Sequence, residues 1–481
     1  MKKKTENIVF KNELIIKLTE YASQTNTDAY IVGGFVRDSL LGLDLKGLNL
    51  DVMVIGDAVK FAEGFAKACK SKLAAVYKKF GTALLNIDGN RIEFASSRKE
   101  SYSRDSRNPK VSVGTLEEDL SRRDFTINAL AIPLGKPGEV IDLFGGINDL
   151  KKKIIRTPLD PDKTFFDDPL RILRAIRFAS KLDFGIEEKT FEAICGNRER
   201  LKEDVVSQER ITTEFLKILE SPNPSVGLNL MYLTGIMDIV FPEMSKTAGV
   251  EQRSDYHHKD VFYHTLEVVD NISQMTDNVW LRFAALTHDI AKPKTKKFIE
   301  GTGWTFHGHE ELGARMMKKI FERMRLPFDR INYVEKLIRL HLRPAALANQ
   351  EATDSAIRRL AAEAGEELED LLKLCRADIT SKNFAKVKKY MGNFAYVEKR
   401  IVEVQEKDNL RNFQSPVRGD EIMKICGLEP SKPVGILKTK IEEAILDGII
   451  PNTYDAALEY LYKIKNETLA GLKKKDTKES S

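Results

Sequence analysis

Strand-forming sequence is confined to the first third of this chain, and helical patterning occupies most of the rest. Short apolar runs at Ala29–Val32, Leu50–Ile55, Ala83–Ile87 and Arg91–Phe94 are bounded by glycines or charges, as strands are. Between and after them, Ala58–Lys70 and the region Asp124–Leu130 read as helices. From Asp160 onward the strand signal disappears. Leu170–Leu182, Glu209–Leu219 and Val226–Thr234 carry apolar residues at helical spacing, and Pro222 and Pro224 punctuate turns. The pattern predicts a mixed α/β head ending near Leu150, followed by helical domains.

Length and composition agree with several domains. The 481 residues suggest about three units at ~150 residues each. With 42% apolar and 31% charged residues, a wholly disordered chain is excluded. A net charge of +5 is too small for a polycation that coats nucleic acid along its length. Nucleic-acid contacts must therefore come from local clusters: Lys151–Lys153 with Arg156, Arg171 with Arg174 and Arg177, Lys292–Lys297, and Lys386–Lys389. Cys69, Cys195, Cys375 and Cys426 form no CxxC pair, against a thiolate metal site or a disulfide framework. No apolar run reaches the ~18 residues of a membrane span, and Met1 to Phe10 lacks a signal-peptide core, so a cytoplasmic protein without a membrane partner is expected. Pro416 and Pro433 frame a last helical unit running to Tyr462, and the end from Lys473 is expected to fray.

Two segments carry chemistry. In the head, Ala29–Val32 runs into Gly33-Gly34-Phe35-Val36-Arg37-Asp38. Paired glycines after a strand let the backbone approach a polyphosphate, and Arg37 with the following amides adds positive potential. A tight turn explains two glycines equally well when they stand alone. The next strand, Leu48-Asn49-Leu50-Asp51-Val52, and then Arg91-Ile92-Glu93-Phe94, add acidic side chains that hold magnesium for in-line phosphoryl transfer when they share a face. In the helical middle, all seven histidines fall between His257 and His341, which calls for a metal reading.

Asp168 and Arg171, three residues apart, read as one helix face continued by Arg174. A carboxylate accepts and a guanidinium donates, which suits the Watson–Crick edges of both cytosine and adenine and mismatches uracil and guanine. An exposed salt bridge is the plain alternative.

At this point the chain resembles the nucleotidyltransferase superfamily, specifically bacterial tRNA nucleotidyltransferases (CCA-adding enzymes) and their poly(A) polymerase relatives. The resemblance runs from the GGxVRDxLLG stretch Gly33–Gly42 through Arg122-Arg123-Asp124-Phe125-Thr126-Ile127-Asn128, Asp142–Gly146, Asp167–Arg171 and Glu209–Glu214. It implies an α+β multidomain protein: a nucleotidyltransferase α/β head (1–157), an all-α neck (158–245), an HD domain (246–390) and a helical C-terminal RNA-binding unit (391–481). It also implies that Asp51 and Glu93 are catalytic and bind Mg²⁺. Gly33, Gly34, Arg37, Arg122, Arg123 and Asn128 would meet the triphosphate and Asp124 the ribose, while Asp168, Arg171 and Arg174 read the base. Glu209, Arg210 and Glu214 would brace the neck. His264, His288, Asp289 and Asp378 resemble the HD phosphohydrolase set that holds a divalent metal, with His309 and His341 for a second. Ala291 stands where HDxGK variants carry glycine.

The expected activity is addition or repair of the 3′ CCA of tRNA from CTP and ATP, with an HD domain that hydrolyses phosphoesters. Poly(A) polymerase and an HD phosphohydrolase on an inactive RNA-binding head are the alternatives. One departure bears on them. Asn49 occupies the first position of the family's DxD, and an amide is a weak magnesium ligand, so head catalysis is expected to be weakened unless another carboxylate, with Asp44 and Asp57 nearby, substitutes.

Overall fold

The computed structural model describes residues 12–479 except 44–46, 104–105, 136–137, 203–204, 252–259, 349–352, 382, 412–414, 447–448 and 452. Asp44, His257 and His258 lie outside the described residues. The chain divides into two compact units, Met1–Ala346 with Ala364–Gly392, and Leu347–Glu363 with Asn393–Ser481.

Nine strands build the head: β1 Ala29–Val32, β2 Asn49–Val54, β3 Ala75–Tyr77, β4 Thr82–Ile87, β5 Asn90–Ser96, β6 Arg98–Ser103, β7 Ser106–Val113, β8 Leu130–Pro133 and β9 Ile141–Asp142. Seven form one sheet in the order β3-β4-β5-β2-β1-β8-β9. Within this sheet, among the described residues, only β2 and β5 pair in parallel. The two-residue period sends Leu50 and Val52 of β2 into the core and leaves Asn49 and Asp51 exposed on the opposite face. Helices Glu13–Gln24 and Ala58–Ala68 cover the buried side, where Tyr21, Phe61, Phe65 and Phe94 pack ring against ring.

The segment expected to be helical around Asp124–Leu130 is instead a tight 3-10 turn, Thr126–Asn128, followed by β8. The Asp124 carboxylate accepts from the Phe125 and Asn128 nitrogens, offering the backbone an alternative to helix. The β6–β7 hairpin was not legible because its strands are largely polar and charged and contain Pro109. Two short pairs also fall in the region without strand signal: Ile154–Ile155 with Gly185–Ile186, and Lys297–Ile299 with Gly303–Thr305.

Head, neck and histidine-rich domain pack within the first unit. Neck helix Leu170–Leu182 lies against Gln208–Leu219 and Pro224–Leu233. Phe215, Phe241, Phe283 and Phe321 form a continuous aromatic series from the neck into the next domain. Buried Arg282 donates to the Leu219 and Ser221 carbonyls, both at 3.0 Å, closing the same joint. In the second unit, Val417, Ile422, Val434, Leu437, Ile441, Ala457 and Leu461 make the core. Its last helix, Tyr454–Glu479, continues beyond Tyr462 and through the segment expected to fray.

The glycine pair at 145–146 has a steric cause. Asp142 accepts from the Gly146 and Ile147 amides at 2.9 and 3.0 Å, capping helix Gly146–Lys152. A Cβ on Gly146 would lie 2.2 Å from the Thr126 carbonyl oxygen, so this helix seats the turn at 126–128 only through glycine. Gly146→Ala is expected to cost roughly 1–3 kcal/mol, read as a lowered Tm, whereas Gly135→Ala, with open space around it, should change little.

Candidate active site and metal centre

The parallel register of β2 and β5 sets Asp51 directly opposite Glu93, and Asn49 opposite Arg91. The two carboxylates share the exposed face and line a cavity of about 230 Å³ with Val32, Thr82, Arg98, Asp119, Arg122 and Arg123. Gly33, at φ +77°, sits at the same place: a Cβ there would lie 3.2 Å from Asp51 Oδ2 and 3.1 Å from Arg123 Nη1. Although Asp51 keeps an open face, the loss of water to the protein packed around it raises its carboxyl above the ordinary range. Arg123 opposes this and Glu93 adds to it. Two adjoining carboxylates, one resisting ionisation, form a hard oxygen donor set that a divalent cation would relieve.

Arg122 and Arg123 are held by a residue that sequence reasoning missed. Buried Asp119 takes Arg122 at 2.7 Å and Arg123 at 3.1 Å, and these guanidinium groups keep its carboxyl below the usual range despite burial. Arg98 was also missed, although its place just after the Glu93 strand was a usable signal. The carboxylates lining the cavity are thus Asp51, Glu93 and the already paired Asp119. Asp57 is spent as a helix cap, accepting from the Lys60 amide at 3.0 Å.

Several residues expected at the nucleotide are engaged elsewhere. Arg37 is 3% exposed and donates to Asp38 and Asn128, each at 2.7 Å. Asn128 donates to Asp124 at 2.9 Å, and Arg174 Nε donates to the other Asp124 oxygen at 2.9 Å. Arg37, Asp124 and Asn128, all buried, and half-buried Arg174 therefore form one network that joins the glycine turn to the neck helix, and none of them lines the cavity. Phe178 lies beneath it, with Arg37, Arg174 and Arg177 at 5.0, 5.6 and 4.2 Å from its ring centroid. The expected basic cluster of Arg171, Arg174 and Arg177 is correspondingly reduced, because Arg177 pairs with buried Glu214 at 2.6 Å.

Asp168 and Arg171 do not share a helix. Asp168 is extended (φ −137°, ψ 94°) between helices Pro161–Asp167 and Leu170–Leu182, as a residue before proline tends to be. Arg171 stands in the first turn of the second helix and donates to the Arg122 carbonyl at 2.7 Å, tying the helix start to the arginine pair that lines the cavity. Arg210, expected to brace the neck, reaches Asp168 at 3.8 Å, while Glu209 is exposed and Glu214 does brace.

The second site lies in the histidine-rich domain. His264, on helix Val261–Ser273, His288 and Asp289, just after Val279–Thr287, and Asp378, just after Leu368–Ala377, converge with His309 and His341. The donors fall into two groups: His264, His288 and Asp378, and Asp289, His309 and His341. Asp289 spans both, with Oδ2 3.2 Å from His288 Nε2 and Oδ1 3.2 Å from His309 Nε2. Nδ1 of His288, His309 and His341 donates to the carbonyls of Ala285, Phe306 and Ile338 at 2.7, 2.7 and 2.6 Å. His264 Nδ1 lies 2.9 Å from Thr380 Oγ1. Pinning Nδ1 turns each Nε2 inward as a ligand atom. His307 is exposed and stands apart from both groups.

This centre fits metal. His288 Nε2, His309 Nε2 and Asp289 Oδ1 are buried without a hydrogen-bond partner among the described residues. Burial would raise the Asp378 and Asp289 carboxyls, yet the adjoining His264 and His288 side chains hold the first well below the usual range. The charges of His288 and Lys292 hold down the second. Burial would lower His288, but the same carboxylates bring it up to about 10. Burial, with His288 beside it, takes His341 down to about 4, leaving a neutral imidazole. Two carboxylates beside inward-facing imidazole nitrogens make a donor set whose charge a divalent cation would balance. Ala291, with φ −91°, adopts a conformation in which glycine is not required.

In the head, burial raises the Asp124 carboxyl and the Arg174 charge, with the Asn128 hydrogen bond, more than offsets it. Because the folded carboxyl titrates below the unfolded one, this contribution is full above the unfolded value of about 4 and is lost as pH falls through the folded value. Asp124→Asn should lose roughly 3–5 kcal/mol at pH 7 and flatten the acid limb, measured by urea unfolding at neutral pH and near pH 3.

Comparisons with known proteins agree with these two sites. Residues 29–156 match the poly A polymerase head domain, 183–247 the probable RNA and SrmB-binding site of polymerase A, and 261–382 the HD domain. Both the head and HD families are metal-dependent. An A-adding tRNA nucleotidyltransferase of Deinococcus radiodurans is 32% identical over 71% of this chain and 78% of its own. A CC-adding tRNA nucleotidyltransferase of Thermus thermophilus is 30% identical over 92% of this chain and 95% of its own. A Thermotoga maritima CCA-adding enzyme solved with tRNA superposes with a TM-score of 0.57 at 27% identity, covering 95% of both chains. No helix among the described residues is long and apolar enough to cross a membrane. With a shared head, RNA-binding segment and HD domain, and relatives aligned over nearly their full length, the chain belongs to the tRNA nucleotidyltransferase family.

Proposed function

We propose that this protein adds or repairs nucleotides at the 3′ CCA end of tRNA, using CTP and ATP. The observation that carries the reading is the meeting of Gly33, the Asp51–Glu93 pair and Arg123 at one cavity. The tRNA 3′ oxygen attacks the α-phosphorus, a new P–O bond forms, the bond to the bridging oxygen breaks, and pyrophosphate leaves. Asp119 aims Arg122 and Arg123 at the triphosphate, and Gly33 leaves room for it. Asp168 accepts from the amino group of cytosine or adenine, and Arg171 donates to the adjoining ring nitrogen. Arg37, Asp124, Asn128 and Arg174 act by position, holding neck helix and glycine turn together. Asp51 and Glu93 would hold Mg²⁺, which when bound offsets charge on the phosphates and lowers the pKa of the attacking hydroxyl.

Asn49 leaves the strand with one carboxylate where two would balance the ions better, so Asn49→Asp is expected to raise the rate. The test incubates tRNA lacking its CCA with each nucleotide alone and with CTP and ATP together. Incorporation of C and A but not U or G is expected. Absence of incorporation by both the natural chain and Asn49→Asp would overturn the reading.

The functional divisions proposed are a head to residue 157, a neck to 245, an HD domain to 390 and a C-terminal RNA-binding unit beyond. The HD centre is proposed to hydrolyse phosphoesters, with His264, His288, Asp378, Asp289, His309 and His341 as the residues that would hold divalent metal, which when bound would supply an activated water. Elemental analysis of the purified protein should find a divalent metal that His288→Ala loses; a metal-free natural chain would end this part.

A further inference from the structure

Between Asp289 and His309 the chain makes an excursion that the metal centre does not use. It passes through helix Lys292–Thr295 into strand Lys297–Ile299, turns, and returns through Gly303–Thr305. Its base is tied to the centre. Lys292 Nζ lies 2.6 Å from Asp289 Oδ2 and 5.6 Å from the centroid of the Phe306 ring, and the Phe306 carbonyl accepts from His309 Nδ1.

The ribbon itself presents aromatic surface to solvent. Phe298 and Trp304 are direct cross-strand neighbours, edge to face at 5.2 Å, yet 63% and 40% exposed. Pairing of the rings is accounted for by the stability of a two-stranded ribbon, to which such a pair adds roughly 0.2–1 kcal/mol. The accompanying charge is not. Lys294, Lys296 and Lys297 face a single acid, Glu300, in the same segment, and Lys296 Nζ sits 4.4 Å from the Trp304 centroid.

We infer that this hairpin is a base-stacking platform that presents a single-stranded nucleic-acid end to the His–Asp centre. Flat rings open to solvent among lysines match the two features every nucleotide carries, a π face and a phosphate. An acidic peptide would satisfy the lysines and leave the rings exposed. The inference names a substrate class for the HD centre and rests on reading that centre as a phosphoesterase.

The test uses the full chain carrying Trp280→Phe, which leaves Trp304 as the sole tryptophan; Trp280 packs against Phe283 and Phe321, where a phenyl ring preserves the contact. Titration with single-stranded hexauridylate should quench its fluorescence saturably, and inorganic polyphosphate should not. Phe298→Ala and Lys296→Ala should each weaken the midpoint roughly fivefold or more. Absence of quenching, or equal quenching by polyphosphate, overturns the platform. Nucleotide addition by the head checks that each variant is folded. Quenching that persists when a chelator abolishes phosphoester hydrolysis supports the platform independently of the metal. Quenching without any hydrolysis supports it too and places the failure in the phosphoesterase reading.

Discussion

The head and neck depend on one buried chain of charge. Asp38, Arg37, Asn128, Asp124 and Arg174 run from the helix after the glycine pair, through the turn at 126–128, to the neck helix. Each group is costly to bury alone and is neutralised or hydrogen-bonded by the next. Phe178 beneath the arginines and its edge-to-face contact with Phe125 exclude water from the network. Removing one member strands the others, so these polar residues form a joint between the glycine turn and the neck helix. The joint in turn fixes where Arg171 meets the Arg122 carbonyl, and hence where the start of the neck helix stands relative to the arginine pair beside the acidic strand.

The metal centre is built on the same economy of polar groups, applied to imidazoles. A histidine near the end of one helix, or just past it, finds a backbone carbonyl three residues earlier, and that hydrogen bond selects the tautomer with Nε2 free. His288 and His341 do this just past their helices, and His309, the first residue of its helix, takes the Phe306 carbonyl of the preceding turn. Local backbone geometry thus orients these three imidazoles, while His264 is set by Thr380 from a distant part of the chain and helix packing brings all four to a common point. Asp289 can then serve both donor groups because its two oxygens face different histidines.

Where sequence reading succeeded and failed has a physical pattern. β1, β2, β4 and β5 alternate or bury nearly completely, so they were legible to within one or two residues. The β6–β7 hairpin has no such pattern because its sequence is largely polar and charged. The Asp168–Arg171 pair was misplaced on one helix although Pro169 carried the correction, since proline disfavours helical backbone in the residue before it. Asp119 left no signal by type or spacing, because an aspartate that positions two arginines looks like any acid in a capped helix, here one opened by Thr115 and Glu118.

The order and identity of the chemical groups were written in the chain: the glycine pair, the acid strand interrupted by Asn49, the paired arginines and the His–Asp series. So was the division into a sheet-bearing head and a helical body, because periodicity is a local property of sequence. Which of the polar groups face a cavity and which are buried as a joint was decided only by tertiary structure. That choice turns on the parallel register of β2 and β5 and on the path of the neck helix, and contacts between residues dozens of positions apart leave no mark in any local pattern.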